Sequence, residues 1–399
     1  MLVVGLLVVG AELTATAVLT FQAGEYIGAR TRFARRTNAF VTDLIGTRSE
    51  CRYIDTLYPH PYLGFVHHGN PPCGLTDVNN IGLLGPDFPT IRPTDTYTIL
   101  VTGGSVASQL AQPFGGRGPY LERMLNERYQ SPTGKPFLVL DGGDGAWKQP
   151  QQLILFTLYV DAVDAVVTLD GFNEVKYIAS LHRFEYPATN FQSANPLATQ
   201  AFPELLVRYA VGRAEGIVVT NAVLSRSQAA YAVISSLDAL LQRRAASKPA
   251  PRTSVDSIFA LPKEWSTGDR AEWAMRQYEK YVRAMNAIGR DHGVRVAHFI
   301  QPVPAIDKPL GEDERRGAGG MNEYVDKYRW MSDRLLALRA QSIEVFNLAD
   351  VFEGHSERLY LDDIHLIRNK DGSSTGYRLM SERMAENLGT AWKLKRRQR

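Results

Sequence analysis

Tyr97-Thr98-Ile99-Leu100-Val101-Thr102-Gly103-Gly104-Ser105 is a β-rich run that breaks at two glycines and then presents a hydroxyl. Aromatic and β-branched residues favour an extended chain, and paired glycines end it. This predicts a strand over Tyr97–Thr102 feeding a tight turn. The same pattern recurs downstream. Pro136 to Leu140 closes on Asp141-Gly142-Gly143, and Ala165 to Leu169 closes on Asp170-Gly171-Phe172-Asn173. Helical spacing fills the gaps, with Leu121, Met124, Leu125 and Arg128 inside Pro119–Tyr129, and then Gln151–Tyr159. Val294 to Ile300 and Ser342 to Phe346 supply two more strands, with helices over Tyr324–Arg339 and about Ser374 to Leu394. Strands alternating with helices at this spacing imply a parallel sheet covered by helices. Polar clusters follow the carboxyl ends of the strands, which is where open α/β sheets hold their sites.

Outside this frame the texture differs. Met1 to Phe21 is almost wholly apolar, with Glu12 its only charged side chain. About 20 apolar residues span a bilayer as a helix. Residues 1–24 therefore read as a transmembrane anchor or signal segment, or else as a buried core helix. Arg30, Arg32, Arg35 and Arg36 follow, and by the positive-inside rule would keep that flank in the cytoplasm. Cys51 and Cys73, the only two cysteines, argue the other way. They lie in a Pro-rich loop and suit a disulfide, which needs an oxidising compartment, or they are two unpaired thiols. An exported domain on a membrane anchor is the favoured expectation. Residues 25–95 read as a juxtamembrane helix followed by an irregular wrap. Residues from about 180 to 290 read as a helical insertion into a domain that runs from 96 to 399.

Composition narrows the function. Of 399 residues 44% are hydrophobic and 22% charged, close to globular averages, so the chain is neither disordered nor collagen-like. With 45 basic and 42 acidic residues the net charge is only +3, which gives no footprint for nucleic acid. His60, His67 and His68 cluster without the carboxylates or thiols that would complete a metal site, so no metal or cofactor is expected.

Three separated segments each offer a reactive group near a strand end. Ser105 lies after the first strand, Asn173 after the third, and Asp362 and His365 near the C-terminus. A serine nucleophile needs a base, and a neutral imidazole serves at neutral pH. The imidazole needs a carboxylate on its other nitrogen, and a three-residue spacing in one turn supplies it. The Asn173 amide has N–H donors for a developing oxyanion. Each signal alone is weak, because a Gly-Gly-Ser is usually a turn, Asp-x-x-His recurs by chance, and an Asn caps helices. Their conjunction in this order is what counts.

That conjunction resembles the SGNH (GDSL-type) hydrolase superfamily, in particular its membrane-anchored bacterial members. The first block reads Thr102-Gly103-Gly104-Ser105, with Gly104 where the family often has Asp. The third reads Gly171-Phe172-Asn173-Glu174, with Glu174 for Asp. The last is Asp362-Asp363-Ile364-His365-Leu366, followed by Gly376-Tyr377-Arg378-Leu379. The second block, within Gly142 to Leu153, is less sharp, and its oxyanion N–H falls to Gly145 or to Ala146, with Gly145 preferred. Upstream, Asn79-Asn80-Ile81-Gly82-Leu83-Leu84-Gly85 is similar to a stretch that precedes the core in anchored members; on its own it reads as a loop turning at two glycines.

The resemblance implies a three-layer, doubly wound parallel sheet of flavodoxin-like type, with a helical insertion and an N-terminal transmembrane helix. It implies a serine esterase in which Ser105, Asp362 and His365 form a triad and Ser105, Gly145 and Asn173 hold the oxyanion. Trp147 and Phe172 flank these residues, as stacking surfaces for a sugar or acyl group or as core. The implied substrates are acylated small molecules or cell-surface glycans and lipids. Acyl transfer to an envelope polysaccharide, and a non-catalytic binding or assembly module on the same fold, are the alternatives.

Overall fold

The computed structural model describes residues 2–36, 53–69, 75–180, 216–247, 261–317 and 324–398. The chain forms two compact units. One gathers 60–66, 77–189 and 259–399, and the other 1–59, 67–76 and 190–258.

The first unit is built on five parallel strands: β1 (Tyr97–Gly103), β2 (Phe137–Gly143), β3 (Ala165–Asp170), β4 (Arg295–Ile300) and β5 (Glu344–Asn347). Their order across the sheet is β2-β1-β3-β4-β5. The chain passes from β1 outward to β2 and then returns to the other side of β1 for β3. A crevice opens at such a reversal, beyond the carboxyl ends of the strands. Register fixes what reaches that edge. Gly103 pairs with Gly143 on one side and with Leu169 on the other, and Asp170 pairs with Ile300. Every residue of β1 and β3 is buried, so both strands read as continuous apolar runs, as strands covered on both faces do. The strands run one to three residues past their expected ends at Gly103, Gly143 and Asp170. The glycines there extend the ladder before the chain turns.

Helices seal the sheet along apolar stripes. Thr267–His292 opens with a capping box, in which Ser266 Oγ accepts the Asp269 N–H and Asp269 accepts the Ser266 N–H, and it closes at left-handed Gly293. It buries Ala274, Met275, Tyr278, Val282 and Met285, spaced to face one side. This helix, which lies at the end of the insertion expected over about 180–290, is part of the sheet unit's core. The last helix, Thr375–Ala391, starts on Ser374, whose hydroxyl accepts the Tyr377 N–H, and buries Tyr377, Met380, Met384 and Leu388. The Asn79–Gly85 stretch is a built turn. Asn79 Oδ1 accepts the N–H groups of Ile81 and Leu83, and Asn80 exchanges two bonds with Phe88.

The second unit contains the apolar helix Leu2–Ala23, of which Val3–Ala23 is long and apolar enough to cross a membrane. Val3, Leu6, Leu7 and Leu13 on it are exposed. Glu12 is met by donors at the start of the helix Gln228–Ser247: the Ser227 hydroxyl at 2.7 Å and the N–H groups of Gln228 and Ala229 at 2.6 and 3.1 Å. A helix N-terminus leaves such N–H groups without intrahelical partners, and a carboxylate satisfies them. Within the stretch expected as a juxtamembrane helix, a short helix covers Ala29–Arg36. Cys51 and Cys73, with their expected bridge, lie outside the described residues. His67 Nδ1 stands 3.1 Å from the Thr56 hydroxyl. In the sheet unit, His60 Nδ1 accepts the N–H groups of Tyr62 and Leu63.

Candidate active site

Gly103 leaves β1 at φ 155°, a conformation that favours glycine, and a Cβ there would stand 2.4 Å from the Leu169 carbonyl oxygen. The chain then enters the helix Ser105–Ala111, which the sequence did not announce, because seven residues are too few to show a period. Ser105 is its first residue, at the carboxyl edge of the sheet.

Although 260 residues separate them, Ser105 Oγ and His365 Nε2 are 2.6 Å apart. His365 Nδ1 lies 2.9 Å from Asp362 Oδ2 and 3.0 Å from Oδ1. Asp362 Oδ1 also accepts the backbone N–H groups of Ile364 and His365 at 2.9 and 2.8 Å. Burial works to raise the Asp362 pKa, but the bonds from His365 and Ile364 outweigh it and hold the carboxyl below the usual range. An ionised carboxylate only accepts, so His365 Nδ1 carries the proton and donates it to Asp362. Nε2 is left with its lone pair toward the serine hydroxyl. The turn that carries both residues is closed by the Leu361 N–H on the His365 carbonyl at 2.7 Å.

Asn173 enters from the other side, as the second residue of the helix Phe172–Ser180. Its Nδ2 donates to the Trp147 carbonyl at 2.9 Å. One of its two N–H groups is thereby fixed and the other remains to donate. The amide lies directly over Gly104. A Cβ built on Gly104 would stand 2.3 Å from Asn173 Nδ2 and 3.3 Å from the Trp147 oxygen. With the Asn173 amide placed here, a side chain at position 104 could be accommodated only if that amide shifted.

The second-block segment follows β2. The Gly145 N–H donates to Asp144 Oδ1 at 2.6 Å, so the preferred oxyanion donor is taken up inside its own turn. Ala146 adopts φ 63°, a left-handed conformation uncommon for a residue with a Cβ, and its N–H has no hydrogen bond among the described residues. Of the two candidates the geometry favours Ala146. Trp147 and Phe172 are corrected as substrate surfaces. Trp147 is 0% exposed and packs edge-on against Phe65 at 6.2 Å. Phe172 is buried in the core cluster, with the Lys176 ammonium 4.1 Å from its ring centre. Both are too enclosed to stack on a ligand, and what Trp147 brings to the site is its carbonyl.

Beneath these groups lies polar chemistry that the sequence reading missed. Asp141 accepts the Ser108 hydroxyl at 2.7 Å and the Gly143 N–H at 2.9 Å, and burial pushes its pKa well up. Gln152 donates to Asp170, whose pKa burial and neighbouring Glu174 also raise. The signal was a carboxylate standing at the end of each of two apolar strands, which reads as turn chemistry until the burial is known.

No protein-family model and no curated protein matches the chain. Among solved structures it is similar to the lipase/acylhydrolase from Enterococcus faecalis, at 13% identity and a TM-score of 0.36, covering 76% of this chain and 99% of that one. It is similar to the acetyl xylan esterase AlAXEase at 13% identity and TM-score 0.33, over 74% and 98% of the two chains. A GDSL-like lipase from Bacteroides thetaiotaomicron aligns at 9% identity and TM-score 0.30, over 74% and 89%. Likenesses at these scores carry no weight for activity, which has to be read from the site itself.

Proposed function

We propose that the protein is a serine esterase of the SGNH type. The observation that carries this is the linear relay Ser105 Oγ, His365 Nε2, His365 Nδ1, Asp362, with links of 2.6 and 2.9 Å. A general base has to stand within hydrogen-bond reach of the proton it takes, and His365 does. Ser105 attacks the ester carbonyl carbon as its proton passes to Nε2. The imidazolium that forms is stabilised by Asp362 on Nδ1. The carbonyl oxygen becomes an oxyanion held by the Ser105 N–H, the Asn173 amide and the Ala146 N–H. Collapse expels the alcohol, which takes the proton from Nε2. Water, deprotonated by the same nitrogen, then releases the acid and regenerates Ser105.

On this reading the fold is the three-layer, doubly wound arrangement of that superfamily, and the strand order β2-β1-β3-β4-β5 supports it. Leu2–Ala23 serves as the membrane anchor of an exported domain. The substrates are O-acyl groups of surface glycans or lipids, the material an anchored esterase meets. The test is a serine-reactive fluorophosphonate on the full chain. Labelling that disappears in Ser105→Ala supports the esterase, and a wild-type protein that takes no label counts against it.

A further inference from the structure

Asp362 and His365 are carried at the tip of a small hairpin. The Leu361 N–H donates to the His365 carbonyl at 2.7 Å, the Ile367 N–H donates to the Leu359 carbonyl at 2.8 Å, and Tyr360 bridges Leu366 antiparallel. The hairpin by itself therefore fixes the imidazole against its carboxylate. It does not fix the imidazole against Ser105, which stands on another element, the helix Ser105–Ala111. Arg368, three residues past His365 at the exit of the hairpin, reaches that helix. Its Nη2 donates to the Gln109 carbonyl at 3.1 Å and to Gln112 Oε1 at 3.2 Å. Among the described residues, these are the hydrogen bonds that join the 359–368 segment to the helix and its C-cap besides the one between Ser105 and His365. The last carbonyls of a helix have no intrahelical partner, and a guanidinium N–H makes a charge-assisted bond to one of them here. The guanidinium also lies over the ring of buried Phe114, 4.3 Å from its centre. Gln109 is itself buried and held, because the Tyr377 hydroxyl donates to its Oε1 at 2.6 Å.

We propose that Arg368 is a positioning residue, which pins the exit of the Asp362–His365 hairpin to the Ser105 helix and so holds His365 Nε2 2.6 Å from the Ser105 hydroxyl. The proposal rests on the esterase reading. Apolar packing also joins the two elements, since Ile364 and Leu366 share a core cluster with Val106, Ala107 and Leu110. Such packing is non-directional and does not by itself set a distance to a few tenths of an ångström. A planar guanidinium that meets two acceptors at its edge and a ring at its face is far more restrictive. The hydrogen bonds of Arg368 go to Gln109 and Gln112, so its effect on the reaction passes through the placement of His365.

Fluorophosphonate labelling of the full-length wild type through Ser105 comes first in the test, because it reads the nucleophile whatever Arg368 does. Then kcat and KM for p-nitrophenyl acetate are measured on wild type, R368M and R368K, each per folded molecule as counted by a thermal melt. A misplacement near 1 Å costs on the order of 10²-fold, so R368M should lose roughly 10-fold to 10²-fold in kcat with KM within about twofold. R368K keeps a donor for the Gln109 carbonyl but not the planar fork, and should fall between R368M and wild type. Labelling rates are also compared in His365→Ala and in His365→Ala with R368M. A residue that acts through His365 has nothing left to position there, so the double variant should label no more slowly than His365→Ala alone. A merely structural role would lower the melting temperature and leave kcat per folded molecule unchanged, and that result overturns the proposal. So does a loss confined to KM, or a further slowing by R368M in the His365→Ala background. Were R368M not to fold, R368K decides, and wild-type kcat in R368K overturns the assignment. If the wild type does not label through Ser105, the esterase reading falls and takes the role of Arg368 with it. A labelling wild type with indifferent Arg368 variants sinks the positioning role alone.

Discussion

Gly104→Ala adds one methyl group at the point where the Ser105 turn meets the Asn173 amide. The new Cβ would stand 2.3 Å from Asn173 Nδ2, whereas ordinary contact begins near 3.4 Å. The amide must therefore retreat by about 1 Å. The backbone itself tolerates alanine, since Gly104 sits at φ −80°. Retreat strains or breaks the 2.9 Å bond from Nδ2 to the Trp147 carbonyl. Losing that bond costs about 1 kcal/mol, and the stiffer unfolded chain returns roughly 0.4–1 kcal/mol, so stability should barely change. On the proposed esterase reading, with Asn173 as an oxyanion donor, turnover should change greatly. Displacing an oxyanion donor by about 1 Å, or removing it, lowers turnover by on the order of 10²–10³. The assay is steady-state kinetics on p-nitrophenyl acetate beside a thermal melt, with Asn173→Ala and the double variant run in parallel. In the double variant no amide remains to collide with, so it should be no slower than Asn173→Ala alone. Turnover of Gly104→Ala within about threefold of wild type would refute the steric reasoning. So would a double variant whose loss is the product of the single losses.

Asn173→Ala should lower kcat on the order of 10²–10³ with little change in KM, because an oxyanion exists only after attack; a raised KM at constant kcat would make Asn173 a binding residue instead. His298 donates from Nδ1 to the Thr168 hydroxyl at 3.0 Å and accepts from Asn286 at Nε2 at 2.8 Å, and full burial depresses its pKa to about 3. The unfolded imidazole binds a proton below about 6.5 while the folded one does not, so stability should fall as pH drops from about 6.5 toward 3. Melts of wild type and His298→Gln at pH 7 and 5 check this, the variant losing less on acidification. The Lys308 and Glu314 side chains are fully buried at 2.7 Å, and Glu314 Oε1 also accepts the N–H groups of Leu359 and Tyr360, just before the Asp362–His365 turn. Glu314→Gln leaves a buried ammonium without its counter-charge and should cost about 3–5 kcal/mol in urea unfolding; a loss below about 1 kcal/mol would mean that the pair contributes little.

The sequence by itself determined the strands and the parallel sheet, and it singled out Ser105, Asn173, Asp362 and His365 as candidates. These are local signals, because a strand broken by paired glycines, or an Asp three residues before a His, is written in a few consecutive side chains. Tertiary structure decided what depends on residues far apart in the chain. It brought Ser105 within 2.6 Å of His365, turned Gly145 into its own loop, and buried Trp147 completely. It also joined the apolar stripe of Thr267–His292 to the sheet's core, because no local pattern says what a stripe will pack against. Gly104 shows the limit most clearly. In sequence it is half of a glycine pair and reads as a turn. Only in the fold does the Asn173 amide, from 69 positions later in the chain, occupy the space where a Cβ would go. Excluded volume is set by whichever atoms the packing brings close, and sequence order does not record that.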